Sequence, residues 1–185
     1  MDEKQIIAIT NRKLCTRPFL EVMEDLAKRD FQTIVLREKD LTEEEYEKLA
    51  GQCLEICRRN QAVLTLHNFV GAARNLGVSR IHLPYPVFLK EAGNLSDFES
   101  VSTSIHKPEE ARTAKELGAD FVFAGHIYRT DCKKGLKPRG LGFLIEVLEA
   151  SDLPVYGIGG IHENNYREVL DAGAAGVCMM SEFML

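Results

Sequence analysis

Three of the five histidines in this 185-residue chain stand at the ends of predicted strands. His67, His106 and His126 each follow a short run of apolar or β-branched residues, whereas His82 lies inside such a run. Because histidine titrates near neutral pH, it is a common general acid or base. A lone histidine beside an apolar strand is more often structural, but three at strand ends indicate proton-transfer chemistry.

A metal site is the competing interpretation of these histidines. Such a site needs converging carboxylates or an H-x-H pair, and the sequence offers neither. Cys53 and Cys57 lie one helical turn apart, but no second pair is near them. We therefore predict that the chain binds no metal.

A glycine-rich segment after the seventh predicted strand is suited to hold a phosphate. Gly159 and Gly160 allow backbone N–H groups to approach an anion, and the helix that follows adds its positive end. Ser181, after the eighth strand, adds a hydroxyl and an N–H. A tight turn is the alternative explanation for the two glycines.

A pair of cations marks the end of the second predicted strand. Arg37 and Lys39 are two residues apart and therefore project to the same side, while Glu38 projects to the other. Two converging cations predict a site for a carboxylate or a second phosphate. A surface salt bridge is the alternative.

The segment GHIYRTDCKKG, residues 125–135, forms a long polar loop after the sixth predicted strand. We interpret it as a mobile lid that closes over a substrate and excludes water. An exposed charged loop is the alternative. Cys132 lies beside Lys133, but no residue supplies a clear base for it, and we interpret this cysteine as incidental.

The elements that must position these residues alternate along the chain. Predicted strands are Ile6–Thr10, Phe31–Arg37, Ala62–Leu66, Arg80–Leu83, Ser100–Ile105, Phe121–Gly125, Val155–Ile158 and Val177–Met180. Nearly continuous apolar runs such as FVFAG indicate strands buried on both faces, as in parallel sheets. The count of eight, without a glycine fingerprint after the first strand, favours a (β/α)8 barrel over an open doubly wound sheet. Active sites of such barrels lie at the carboxyl ends of the strands.

Helices are predicted between these strands. One runs from about Arg17 to Arg29, a second starts at a capping box of Thr42 and Glu45, and others span Pro108–Leu117 and about Glu163–Ala172. A barrel usually takes about 250 residues. We therefore expect a single domain over residues 1–185 with the eighth helix missing or vestigial. A partner subunit, as in a homo-oligomer, is an expected cover for the surface left open.

Composition excludes several classes of function. The formal net charge of −5 argues against sequence-independent nucleic-acid binding, which needs a basic face. No apolar run reaches the roughly 20 residues of a membrane span, and the charged N-terminus does not resemble a signal peptide. Five scattered cysteines suit a reducing compartment. We expect a cytoplasmic protein that contacts neither nucleic acid nor membrane.

Several segments together carry a family resemblance. They are residues 36–39 (LREK), Ser104-Ile105-His106 before Glu109-Glu110-Ala111, residues 157–161 (GIGGI), and GHIYRTDCKKG with Arg139-Gly140 behind it. Over nearly its whole length the chain resembles the thiamine phosphate synthase superfamily of barrels, and within it the thiazole tautomerase branch. The synthases carry proline where His126 stands and threonine where Cys132 stands.

Two departures separate the chain from the synthases of this superfamily. Synthases hold a magnesium pyrophosphate with an Asn-Asp pair after the third strand and an aspartate after the fourth. The matching residues here are His67-Asn68 and residues 84–87 (PYPV), which include no carboxylate. Without hard oxygen ligands, magnesium pyrophosphate is poorly held.

The resemblance implies an isomerase of thiamine biosynthesis that aromatises a carboxythiazole phosphate by a 1,3-proton shift, without a cofactor. His126 is the expected proton-transfer residue and His106 its reserve. The expected substrate ligands are Arg37, Lys39, His67, Asn68, Thr130 and Lys133, with the phosphate on Gly159, Gly160 and Ser181. The alternatives are thiamine phosphate synthase itself, a non-catalytic barrel that binds a phosphorylated ligand and regulates a partner, or another phosphate-handling isomerase.

Overall fold

Eight parallel strands, in the order β1 to β8, form a closed barrel in the computed structural model, which describes residues 2–133 and 135–185. The strands are β1 Ile6–Ile9, β2 Thr33–Leu36, β3 Leu64–His67, β4 Arg80–Pro84, β5 Ser100–Ile105, β6 Phe121–Gly125, β7 Val155–Ile158 and β8 Gly176–Met179. The helices are α1 Phe19–Ala27, α2 Glu43–Asn60, α3 Val70–Leu76, α4 Tyr85–Glu91, α5 Pro108–Glu116, α6 Gly140–Ala150, α7 Tyr166–Asp171 and α8 Ser181–Met184. The predicted barrel is confirmed.

The predicted boundaries are right where a local signal fixes them. The capping box of Thr42 and Glu45 is present at the start of α2, and Gly118, with φ of +87°, follows the end of α5. The seventh helix begins later than expected, at Tyr166. The reason is that the Asn165 side chain accepts a hydrogen bond from the His162 N–H and donates one to the Gly160 carbonyl, which holds a turn there.

The eighth helix is a single turn of four residues, as the vestigial helix of the sequence prediction requires. The ring of Phe183 packs against the ring of Phe31, and the two ring centroids are 4.8 Å apart. Met184 is 1% exposed, and its sulfur accepts a hydrogen bond from the Asn11 N–H at 3.3 Å. This short turn therefore buries its apolar side chains against residues near the N-terminus.

The chain divides into two compact units. One extends to His82 and includes Met180–Leu185; the other is Leu83–Met179. Each contains strands whose side chains are buried throughout, such as Ile6–Ile9 in the first unit and Gly176–Met179 in the second. Burial on both faces is the arrangement expected of parallel strands covered by helices. Within the described residues, no helix is both long and apolar enough to cross a membrane.

Candidate active site

In the first unit, a buried carboxylate fixes the end of β2. Glu38 is 1% exposed and accepts hydrogen bonds from the Thr10 hydroxyl at 2.7 Å and from the Arg12 N–H at 3.1 Å. The Thr10 hydroxyl in turn accepts the Arg37 N–H at 3.0 Å. Glu38 thus contacts the β1–α1 connection rather than solvent, and the backbone that presents Arg37 and Lys39 is held in place.

The end of β3 carries a neutral imidazole close to these two cations. His67 is the last residue of β3, and its ring stacks on the ring of His82 in β4 with centroids 5.9 Å apart. Burial, together with the charges of Arg37 and Lys39, lowers the pKa of His67 to about 3. Burial, together with the nearby His67, Arg37 and Lys39, also holds the pKa of His82 well below its usual value. The cations and uncharged imidazoles make this strand end suitable for an anionic ligand.

A tyrosine from α2 connects β2 to β3 beneath this site. The Tyr46 hydroxyl donates to the Leu36 carbonyl at 2.6 Å and accepts the His67 N–H at 2.8 Å. Asn68 follows in the left-handed conformation, with φ of 72°, and its N–H donates to the His82 carbonyl. A non-glycine residue in this conformation is uncommon and is often found at functional sites.

The buried imidazoles predict a loss of stability in acid. A folded state that keeps His67 neutral binds fewer protons below pH 6.5 than the unfolded chain does, so the free energy of unfolding falls as the pH decreases. Each neutral histidine contributes about 1.4 kcal/mol per pH unit to that slope. For His67 the window runs from pH 6.5 down to about 3. Urea unfolding between pH 6.5 and 4.5 gives the free energy of unfolding as a function of pH. For His67→Asn this dependence should be shallower than for wild type by the contribution of one histidine.

The exposed His162 provides the matched control for this measurement. The His162→Asn variant should keep the wild-type dependence of unfolding free energy on pH, because the folded chain leaves this ring exposed to solvent. Equal slopes in wild type and His67→Asn would mean that His67 is charged in the folded protein.

In the second unit, His126 directly follows β6 and is 5% exposed. Both of its ring nitrogens are buried and have no hydrogen-bond partner among the described residues. A buried polar group without a partner is costly, by about 1–3 kcal/mol. Such a group in a native structure needs an explanation, and a bound ligand is one. His126 therefore has the burial and the free ring nitrogens of a group that meets a substrate.

Gly159 and Gly160 bring the end of β7 against the segment that carries His126. Both have positive φ, of 100° and 68°. A Cβ atom at Gly159 would overlap the Cβ of His126 and lie 2.9 Å from its Cα, and one at Gly160 would overlap the Arg129 carbonyl oxygen. The Tyr128 N–H donates to the Gly159 carbonyl at 2.9 Å. These glycines are thus required by close backbone packing, which is compatible with a phosphate site at the same place.

Backbone hydrogen bonds join the two ends of the loop after β6. The Arg139 N–H donates to the His126 carbonyl at 3.1 Å, and the Gly140 N–H donates to the Ile127 carbonyl at 3.0 Å. Thr130 and Lys133 stand between these points, with Lys133 ending a short 3₁₀ turn. The Lys133 ammonium lies 3.2 Å from Nε2 of His106. The side chain of Cys132 is outside the described part of the structure.

The sequence-predicted residues thus fall into separate groups. Arg37, Lys39, His67 and Asn68 gather at the ends of β2 and β3, whereas His106, His126, Thr130, Lys133, Gly159 and Gly160 belong to the second unit. Ser181 is the first residue of α8, after β8. Sequence reasoning missed Thr10 and Tyr46, which hold the strand ends. The hydroxyl at the end of the first strand was the available signal for Thr10; Tyr46 on a helix gave none.

A magnesium ion of the kind that the synthases bind does not fit these residues. Magnesium prefers carboxylate and phosphate oxygens. Here β3 ends in His67-Asn68, and Tyr85 follows the end of β4 at Pro84. In the described ranges, no group of three or more His, Cys, Asp or Glu side chains could hold a metal. The nearby positive charges of Arg37 and Lys39 further disfavour a cation.

Comparisons with known proteins agree with the fold and the motifs. A family model described as thiamine monophosphate synthase matches residues 6–183. A putative thiamine-phosphate synthase 2 of Aquifex aeolicus is 32% identical over 187 residues, which span 100% of both chains. A thiamine-phosphate synthase of Fusobacterium nucleatum is 27% identical over 180 residues, 96% of this chain and 87% of the relative.

A solved structure shows the same architecture. The thiamine phosphate pyrophosphorylase of Pyrococcus furiosus matches with a TM-score of 0.79 at 26% identity, over 97% of this chain and 87% of that protein. The names of all three relatives refer to the synthase or pyrophosphorylase reaction.

Proposed function

We propose, since this chain belongs to the thiamine monophosphate synthase family, that it is an isomerase of thiamine biosynthesis which converts a non-aromatic carboxythiazole phosphate into its aromatic tautomer. One C–H bond breaks, another forms, and no electrons leave the substrate. The aromaticity of the product supplies the driving force, so the reaction needs no cofactor.

The observation that supports this proposal is the state of His126. Its imidazole is buried at the end of β6, with neither ring nitrogen engaged by the described residues. A neutral imidazole has one acceptor and one donor nitrogen. It can therefore take a proton from one carbon and return a proton to another, provided that a bound substrate lies within hydrogen-bonding reach.

The remaining residues would bind the two anionic groups of such a substrate. Arg37 and Lys39 would hold the carboxylate, beside the uncharged His67 and with Asn68 as a further hydrogen-bonding group. Thr130 and Lys133 in the loop after β6 would contact the same ligand. The phosphate would lie on the backbone at Gly159 and Gly160, with Ser181 assigned to it from its sequence position after β8.

The proposed reaction is tested by NMR. The purified protein is incubated in D2O with the thiazole tautomer phosphate, first without and then with magnesium and the pyrimidine pyrophosphate. We expect rapid aromatisation without metal, with deuterium entering a carbon bonded to the ring. Absence of turnover in both tubes would contradict the isomerase and, if ligand binding persisted, favour a non-catalytic binding barrel.

The names of the relatives favour a second candidate, thiamine phosphate synthase. That reaction joins a thiazole phosphate to a pyrimidine and releases pyrophosphate. It predicts thiamine phosphate in the second tube only, together with pyrophosphate in stoichiometric amount. The residues at the ends of β3 and β4, which include no carboxylate, argue against it.

A further inference from the structure

The surroundings of His106 fix which of its ring nitrogens carries the proton. Nδ1 lies 2.7 Å from the Ile105 carbonyl oxygen and 3.1 Å from the Gly125 carbonyl oxygen. Carbonyl oxygens only accept hydrogen bonds, so Nδ1 must be the donor. In the neutral ring Nε2 is then the acceptor, with its lone pair directed away from β5 and β6.

That lone pair has a partner. The Lys133 ammonium, at the end of the 3₁₀ turn in the loop after β6, lies 3.2 Å from Nε2 and can only donate. His106 therefore connects the carbonyls of two strands to a cation of the loop, using one nitrogen for each. Neither nitrogen is left to exchange a proton with a substrate, in contrast to the two ring nitrogens of His126, which have no partner among the residues that the structure describes.

From this geometry we infer that His106 is a positioning residue, which holds Lys133 and with it the loop after β6 in a closed arrangement, and that the ligand of Lys133 is an anion. The identity of that anion as a substrate carboxylate or phosphate rests on the proposed function, whereas the His106–Lys133 contact does not. In this inference the positioning role takes the place of the reserve role in proton transfer that the sequence suggests for His106.

The cavity around Lys133 has the chemistry that an anion requires. Its volume is about 540 Å³, and its lining includes Arg129, Thr130, Lys133 and Lys137, with Asp131 as the acidic member. An ammonium has three donors, of which His106 takes one. The contact with His106 restricts the conformation of the Lys133 side chain, so its remaining donors have a fixed direction. Binding of an anion then costs less side-chain entropy than it would with a free lysine.

The contact should be lost when His106 is protonated. Nε2 would then become a donor, and two cations would stand 3.2 Å apart. Burial and Lys133 lower the pKa of the His106 ring. This effect is opposed by the two carbonyls and by Glu110, whose carboxylate accepts the backbone N–H of His106 at 2.6 Å. Burial and the charge of Arg139 lower the pKa of Lys133. The closed arrangement therefore persists at neutral pH and opens in acid.

Limited trypsin digestion, without any substrate, tests the contact. The bonds after Arg129 and Arg139 flank the loop. A hydrogen bond that involves a charged group is among the stronger ones in proteins, so Lys133→Met and His106→Ala should be cleaved there about tenfold faster at pH 7.5. His106→Gln, which keeps an acceptor near the Nε2 position, should stay close to wild type. Lys107→Gln removes a neighbouring charge without touching the ring and should cleave at the wild-type rate.

Two outcomes would overturn the inference. One is cleavage of Lys133→Met at the wild-type rate. The other is a ¹⁵N spectrum of the histidines in which His106, assigned from its loss in His106→Gln, carries its proton on Nε2. Neither readout depends on turnover, so the failure of the isomerase proposal leaves them intact. If the protein is an isomerase, His106→Ala should lower the rate and His106→Gln should restore most of it, whereas loss of an essential acid or base would cost about 10²–10⁴-fold in both variants.

Discussion

Replacing His126 by alanine is expected to lower kcat for the aromatisation of the thiazole phosphate by about 10²–10⁴-fold, the usual contribution of a general acid or base. The affinity for the aromatic product should change little, because the anionic groups are assigned to other residues. The NMR assay gives the rate, and calorimetric titration with the product gives the affinity. The variant should also be at least as stable as wild type, because alanine removes two buried polar atoms that have no partner in the described part of the chain, although the cavity left by the ring partly offsets this gain.

The control for this experiment is His162→Ala. His162 is exposed and follows Ile161, close in sequence to the glycines that follow β7, and its ring bonds the neighbouring Asn164 N–H and Asn165 side chain. It should keep the wild-type rate. Full activity of His126→Ala would contradict the assignment of proton transfer to His126. A weaker product affinity with unchanged kcat would instead make His126 a binding residue.

The barrel and the position of its histidines could be predicted because local signals determine them. Apolar β-branched runs indicate buried parallel strands, and the residues that follow a strand in such a barrel belong to its functional end. His67, His106 and His126 are therefore found where the sequence places them. The capping box of Thr42 and Glu45 could be predicted for the same reason, because its two residues lie within four positions of each other in the sequence.

The contacts that give each histidine its state could not be predicted in this way. His67 is neutral because burial lowers its pKa and because β2 brings two cations close to it. His106 and Lys133 are 27 residues apart in sequence and meet only in the folded chain. The three histidines look alike in the sequence, yet one is a buried neutral group, one bonds a lysine, and the ring of the third has no hydrogen-bond partner among the described residues.

Replacing Gly159 by alanine is expected to lower the free energy of unfolding by about 2–5 kcal/mol. A Cβ atom there overlaps the Cβ of His126, and overpacking of this kind costs about 1–3 kcal/mol. The φ of 100° adds the strain of a non-glycine residue with positive φ, about 1–2 kcal/mol. Relief of the overlap would move His126, and a shift of about 1 Å can lower activity about 10²-fold. Urea unfolding and the NMR rate measure the two effects separately.

Gly142→Ala is the matched control, because Gly142 is exposed in α6 and a Cβ atom there meets nothing within 4 Å. Alanine in a helix should raise the free energy of unfolding by about 0.5–1 kcal/mol and leave the rate unchanged. If Gly159→Ala were as stable as wild type but lost phosphate affinity, glycine would be required there for phosphate binding and not for the packing of His126. If it lost stability and rate but kept phosphate affinity, close packing would be the reason that the chain has glycine there.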